Sequence, residues 1–200
     1  MKRTIIVLLS ISLLAFFANC NQSTTTVPVQ DDTNEKSSVE VVDSLSLQLH
    51  RLDSLYNSGK LLHIDIYKIG KFKTIEFTVQ SFDLDGEPYS FINLRKDCGN
   101  DYYYSWEDAR ILPAECQYFI NAIETIKENA TRTTDHEERY AYITKDDIRL
   151  MSVNEGGGSK WQIGFSVDYR KERSEVSLSR DDIDKLVVMI NKCLDKIKEL

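Results

Sequence analysis

EVSLSRDDIDKLVVMINKCLDKIK, residues 175–198, changes its apolar period from two to about 3.6 at a single serine. Val176 and Leu178 alternate with polar neighbours, as a half-buried strand requires. From Ile183 the apolar positions are Leu186, Val187, Ile190, Leu194 and Ile197, one face of a helix. Ser179 is a good N-cap, and Asp181 and Asp182 stand where the helix dipole favours negative charge. Lys192, Lys196 and Lys198 suit the opposite end. A strand running directly into an amphipathic helix is the closing element of a mixed fold.

Upstream of it, Tyr140–Thr144, Ile148–Val153 and Trp161–Val167 read as three more strands, joined by a Gly156-Gly157-Gly158 connection and followed by the charged stretch Asp168–Arg173. The same order occurs once before. Leu62, Ile64 and Ile66 alternate with His63, Asp65 and Tyr67. Gly70-Lys71 reads as a turn, and Phe72, Ile75, Phe77 and Val79 continue as a second strand. Asp83-Leu84-Asp85-Gly86-Glu87-Pro88 is strong turn chemistry. Tyr89–Leu94 and Tyr102–Trp106 read as the third and fourth strands. A helix follows with Pro113 in its first turn and Tyr118 or Phe119, Ala122, Ile123 and Ile126 on one face. The expected fold class is α+β: an N-terminal helix, then two β4α units at 60–130 and 138–200. Their short turns predict antiparallel meander sheets with helices packed on one face.

The opening helix is expected over 38–58, where Val42, Leu45, Leu49, Leu52 and Tyr56 form a stripe and Gly59 is a natural stop. Packing on the domain's own sheet suits so short a stripe better than a coiled coil. Residues 38–200 are thus read as one globular domain. Residues 20–37 are rich in Ser, Thr, Asn, Asp and Gln and cannot bury a core, so they are expected to form a flexible tether. Ahead of them, Met1-Lys2-Arg3-Thr4 and the thirteen-residue apolar run Ile5–Phe17 match a signal peptide over 1–19; the run is too short to span a membrane.

Phe17-Ala18-Asn19-Cys20, followed by polar sequence, resembles the lipobox of bacterial lipoproteins in its Bacteroidetes-type form. Phe17 and Asn19 depart from the usual pattern and Ala18 fits it. The resemblance implies cleavage before Cys20, diacylglycerol on its sulfur, and membrane attachment in the cell envelope, at the outer membrane on either its periplasmic or its surface side. Several acyl chains hold a protein on a bilayer durably. The order of the tandem β4α units, with Val176–Asp182 leading strand into helix, is similar to Whirly and PUR-type single-stranded nucleic-acid-binding folds. No residue-level motif transfers. The chain carries a formal charge of −7. Loss of Lys2 and Arg3 with the leader makes the mature chain more acidic still, which opposes phosphate binding.

Apolar residues make up 42% and charged residues 28%, which excludes collagenous, disordered and multi-span classes. Catalytic motifs are lacking: there is no GxSxG, HExxH or CxxC. Asp83-Leu84-Asp85-Gly86-Glu87 lacks the further oxygens of a calcium loop, Gly156–Lys160 lacks P-loop spacing, and His136 sits in a solvated charge run. No cofactor or metal is expected. Apart from Cys20, the cysteines are Cys98, Cys116 and Cys193, an odd number. An oxidising envelope permits one bridge, Cys98–Cys116 fitting best; alternatively, Cys116 and Cys193 are small buried apolar residues. Tyr102-Tyr103-Tyr104-Ser105-Trp106 is the candidate binding stretch, because exposed aromatics bury large area at protein and glycan contacts. The functional expectation is a lipid-anchored, non-catalytic binding or accessory module contacting protein or glycan. The alternatives are an envelope hydrolase with two convergent carboxylates and a single-stranded nucleic-acid binder, the latter needing a continuous positive groove.

Overall fold

The computed structural model describes residues 45–55, 57–59, 61–84, 86–99 and 104–200. The leader, Cys20, the tether, Val42, Tyr56, Tyr102 and Tyr103 lie outside them. The helix α1 covers 45–55. The first meander is β1 (Asp65–Phe72), β2 (Ile75–Leu84), β3 (Glu87–Asp97) and β4 (Trp106–Ile111), followed by α2 (Pro113–Asn129). The second is β5 (Glu138–Ile143), β6 (Arg149–Asn154), β7 (Gln162–Ser166) and β8 (Glu175–Leu178), followed by α3 (Arg180–Lys198). Each sheet is antiparallel with its strands in chain order. The α+β class with two β4α units is therefore as the periodicity implies.

Two of the differences from the expected element boundaries bear on the site. Gly70-Lys71 is not a turn: β1 continues through it with a bulge between Lys68 and Gly70, and the chain reverses at Lys73, which has φ 51°. Gly70 serves close packing instead, since a Cβ there would meet Met189 Cε at 3.3 Å. The fourth strand starts at Trp106 rather than Tyr102. Its inward alternation is Glu107, Ala109 and Ile111, which pair with Lys96, Leu94 and Ile92 of β3.

Helix α3 does not cover the sheet it follows. It lies mainly along β1, β2 and β3 of the first sheet, while α2 lies on β5 and β6 of the second and also touches β3. Three contacts fix α3 against β1 and the turn after it: Asp182 accepts from Lys73 at 2.8 Å, Met189 covers Gly70, and the Lys196 ammonium sits 4.7 Å from the Tyr67 ring centroid. Steps of seven residues on the helix match steps of three on the strand, because both advance roughly 10 Å. The helix thus runs antiparallel to β1. Its start is secured by a capping box in which Ser179 and Asp182 satisfy each other's backbone N–H groups. Lys127 of α2 pairs with Asp184 of α3, joining the helices.

The exchange merges both units into one core holding Phe77, Ile92, Phe119, Phe165, Leu186 and Ile190. Helix α1 makes a second cluster on the opposite, outer face of the first sheet, where Leu45, Leu49 and Leu52 meet Phe82, Phe91 and Leu112. The α1 stripe does pack on the domain's own sheet. Among the described residues no helix is long and apolar enough to cross a membrane.

Glu115, in the first turn of α2, is only 3% exposed. Its Oε1 accepts from Lys145 N–H at 2.8 Å, while Oε2 is buried with no hydrogen-bond partner among the described residues. Burial pushes this carboxyl above its ordinary value of 4.5, against the lowering effect of the Lys145 amide. A raised carboxyl binds its proton more tightly in the folded state, so its contribution to stability falls as pH rises above 4.5. Glu115→Gln is expected to melt at a higher temperature than the parent at pH 7. The gain should vanish near pH 4 in thermal unfolding followed across that range; a gain that grows towards acid contradicts this.

Candidate functional site

Alternation in β2, β3 and β4 sends Thr78, Gln80, Asn93, Arg95, Trp106, Asp108 and Arg110 to the outer face of the first sheet. The register makes them neighbours: Asn93 faces Arg110, Arg95 faces Asp108, and Thr78 faces Asn93. Helix α1 covers one end of this face at Phe82 and Phe91. The rest is an open polar trough with a cavity of about 380 Å³, lined among others by Ile64, Gln80, Asn93, Asp108, Arg110 and Asp146.

Its side chains are held in fixed poses. Arg95 donates through Nε to Asp108 Oδ1 at 2.8 Å and through a terminal nitrogen to Oδ2 at 3.3 Å. Asn93 Nδ2 donates to the same Asp108 Oδ1 at 3.3 Å. Arg110 is clamped from two sides. Asp146, in the β5–β6 turn, accepts from its backbone N–H at 2.7 Å and from Nε at 3.0 Å, and Asp53 of α1 accepts from a terminal nitrogen at 2.9 Å. Burial alone lowers a guanidinium, but the hydrogen bonds and charges of Asp146 and then Asp53 outweigh it and hold Arg110 above its ordinary value. Arg110 thereby ties α1, the first sheet and the second meander together. Arg110→Ala removes the guanidinium from both carboxylates, leaving Asp146 only the backbone N–H of residue 110, and is expected to cost about 2–3 kcal/mol, less than a fully buried pair because Asp53 is half-exposed. Urea unfolding measures it; a loss below about 0.5 kcal/mol, the scale of an exposed pair, would show the clamp to be ornamental.

At the strand's start, Trp106 is 57% exposed and Tyr104, just ahead of β4, is 93% exposed. The Arg95 guanidinium lies 5.3 Å from the Trp106 ring centroid, a cation–π contact that holds the indole over the sheet. Of the candidate aromatic stretch, Trp106 stands beside the trough through its contact with Arg95, and Tyr104 is exposed just ahead of it in the chain. The strand expected over Tyr102–Trp106 does not include Tyr104, which precedes β4.

The inner edge of β3–β4 carries a different cluster. Glu107, only 6% exposed, accepts from Lys171 and, at 2.7 Å, from Arg173. The Lys171 ammonium, then Arg173, hold this carboxyl below its ordinary value against the opposing effect of burial. Lys96 donates to the Arg173 carbonyl, which docks the 168–173 loop on the first sheet. Cys98 lies here, its sulfur 3.8 Å from Lys96 Nζ. Cys116 is in the core, donating to the Leu112 carbonyl at 3.4 Å. The structure does not bring Cys98 and Cys116 together. Cys98, Cys116 and Cys193 are free thiols, and burial pushes Cys116 and Cys193 up to about 12.

Asp108 and Asp146 line one cavity, the sort of pairing a carboxylate-based hydrolase needs. Each accepts hydrogen bonds from an arginine, so neither stands free to pass a proton. Cations on this face sit beside carboxylates, Lys68 with Glu76 at 3.6 Å included, and no continuous positive stripe forms among the described residues. Among the described residues, no three of His, Cys, Asp or Glu converge there as metal ligands. Sequence reasoning missed Gln80, Asn93, Asp108, Arg110 and Asp146. The polar-apolar alternation of Asn93 and Arg95 was a usable signal, but Asp146 reaches the trough only through the packing of the two meanders. Comparison of the chain with protein-family models, curated proteins and solved structures returns no match.

Proposed function

We propose that this chain is a lipid-anchored binding module of a bacterial envelope. Diacylglycerol on Cys20 holds it at the outer membrane, and the outer face of the first sheet meets a protein or glycan. The anchor reading is supported by the leader over 1–19 and the lipobox-like Phe17-Ala18-Asn19-Cys20. The binding reading is carried by one observation: Trp106 stands more than half exposed on the Arg95 guanidinium, which itself lines a preorganised polar trough. An indole left half in water contributes little to the core, yet it offers large area to a partner at small entropic loss.

Two measurements test the reading. Metabolic labelling with palmitate should mark the parent chain and not Cys20→Ser, which should also leave the membrane fraction. Joint replacement of Tyr104 and Trp106 by Ala should abolish recovery of the partner from envelope extracts while the melting temperature stays put. Unchanged recovery would remove this face from consideration, and a labelled Cys20→Ser chain would remove the anchor.

A further inference from the structure

We infer that the trough on the outer face of β2–β4 is a site for a neutral saccharide, with Trp106 as its stacking platform. This rests on the binding-module reading above and names the ligand class.

Charge selects against the alternatives. Two guanidinium groups, Arg95 and Arg110, meet three carboxylates, Asp108, Asp53 and Asp146. Within the cavity lining the charges balance, Arg95 and Arg110 against Asp108 and Asp146, and each guanidinium is already held by a carboxylate, so a phosphate, a nucleic-acid strand or an acidic polysaccharide finds no unpaired cation there. A cationic ligand meets no bare carboxylate, because each already accepts from a guanidinium. A ligand without charge but dense in hydroxyls faces neither obstacle. Each hydroxyl both donates and accepts, and the Arg95–Asp108 pair sets fixed donors beside fixed acceptors, with the Asn93 amide next to them. Such pairs suit vicinal hydroxyls because they are oriented before the ligand arrives.

Shape selects against a peptide. An extended peptide seated at the β3–β4 end of the trough would add to β4, one of the two edge strands of the sheet. The outward N–H of Arg110 is already taken by Asp146 Oδ2 at 2.7 Å, and the β5–β6 turn stands at that edge. The ladder cannot continue there. The cavity of about 380 Å³ lies at the small end of ligand sites, roughly 300–1,000 Å³, which suits one or two sugar rings. Beyond it, the next unit of a chain crosses Arg95 and reaches the exposed indole, where the apolar C–H face of a pyranose leaves water.

The chain has two tryptophans, so Trp161→Phe leaves Trp106 as the lone indole reporter. This full-length variant is titrated with soluble neutral oligosaccharides of glucose, mannose, xylose and N-acetylglucosamine, at salt between roughly 50 and 500 mM. At least one should shift the Trp106 emission saturably by millimolar concentration, with affinity unchanged by salt. In calorimetry on the otherwise native chain, Trp106→Ala should weaken that affinity about tenfold. Arg95→Met should weaken it too, with both variants melting as the parent does. The inference is overturned if no neutral saccharide saturates, if binding survives Trp106→Ala unchanged, or if only acidic polysaccharides bind and salt abolishes it. If no saccharide binds but the Tyr104 and Trp106 replacements still remove an envelope partner, the saccharide assignment falls alone. If both fail, the binding-module reading falls with it.

Discussion

Neither half of this protein should fold by itself. Cut between α2 and β5, at Arg132–Thr133, the chain yields one piece with the first sheet and α2 and another with the second sheet and α3. The first piece loses the helix lying along β1, β2 and β3, and the second loses the one lying on β5 and β6. Ile183, Leu186, Ile190 and Cys193 are buried on α3, three of them large side chains. Each large side chain is worth about 1.5–3 kcal/mol when removed from water. Their joint loss, with the sheet surface they cover, matches or exceeds the whole stability of a typical domain, about 5–15 kcal/mol. Each fragment alone should lack near-UV circular dichroism and a cooperative melt, and mixing the two should restore both. A first fragment that melts cooperatively at the parent's temperature would contradict the exchange.

The second large effect is expected at Phe119. This residue sits on α2, fully buried, with its ring centroid 5.8 Å from Tyr142 and 6.1 Å from Phe165. Both neighbours belong to the second meander. Truncation to Ala opens a cavity at the joint between helix α2 and the sheet it does not follow, and should cost about 3–5 kcal/mol. Because the joint is shared, the loss should be global: amide exchange should accelerate in β2 and β3 as well as in β5 and β7. Faster exchange confined to the second meander would mean that the two sheets do not share a core. Phe119→Leu, which keeps most of the volume, should recover the greater part of the loss.

Much of this was legible beforehand because it is local. Ser179 followed by Asp181 and Asp182 marks a helix start whatever surrounds it. Val176 and Leu178 alternate as a strand does, and the Asp83–Pro88 run turns the chain through its own side chains, with Asp83 Oδ1 accepting from Gly86 N–H at 2.7 Å. The α1 stripe declares an apolar face without naming its cover. What misled was equally local. Gly70 looks like a turn residue when its neighbours in space are unknown, whereas its missing side chain is needed where Met189 passes. Tyr102–Trp106 has strand composition, yet the strand begins only where inward positions reach the core at Ala109 and Ile111.

By itself, then, the order of residues determined the element sequence, the caps, the turns and the polar alternation of Asn93 with Arg95, since each depends on groups a few bonds apart. Only the tertiary structure decided that the two helices trade sheets, and that exchange brings the second meander beside the first. It sets Asp146 against Arg110 and makes the trough: contacts between residues 36 positions apart obey surface complementarity and core packing, which no local periodicity encodes.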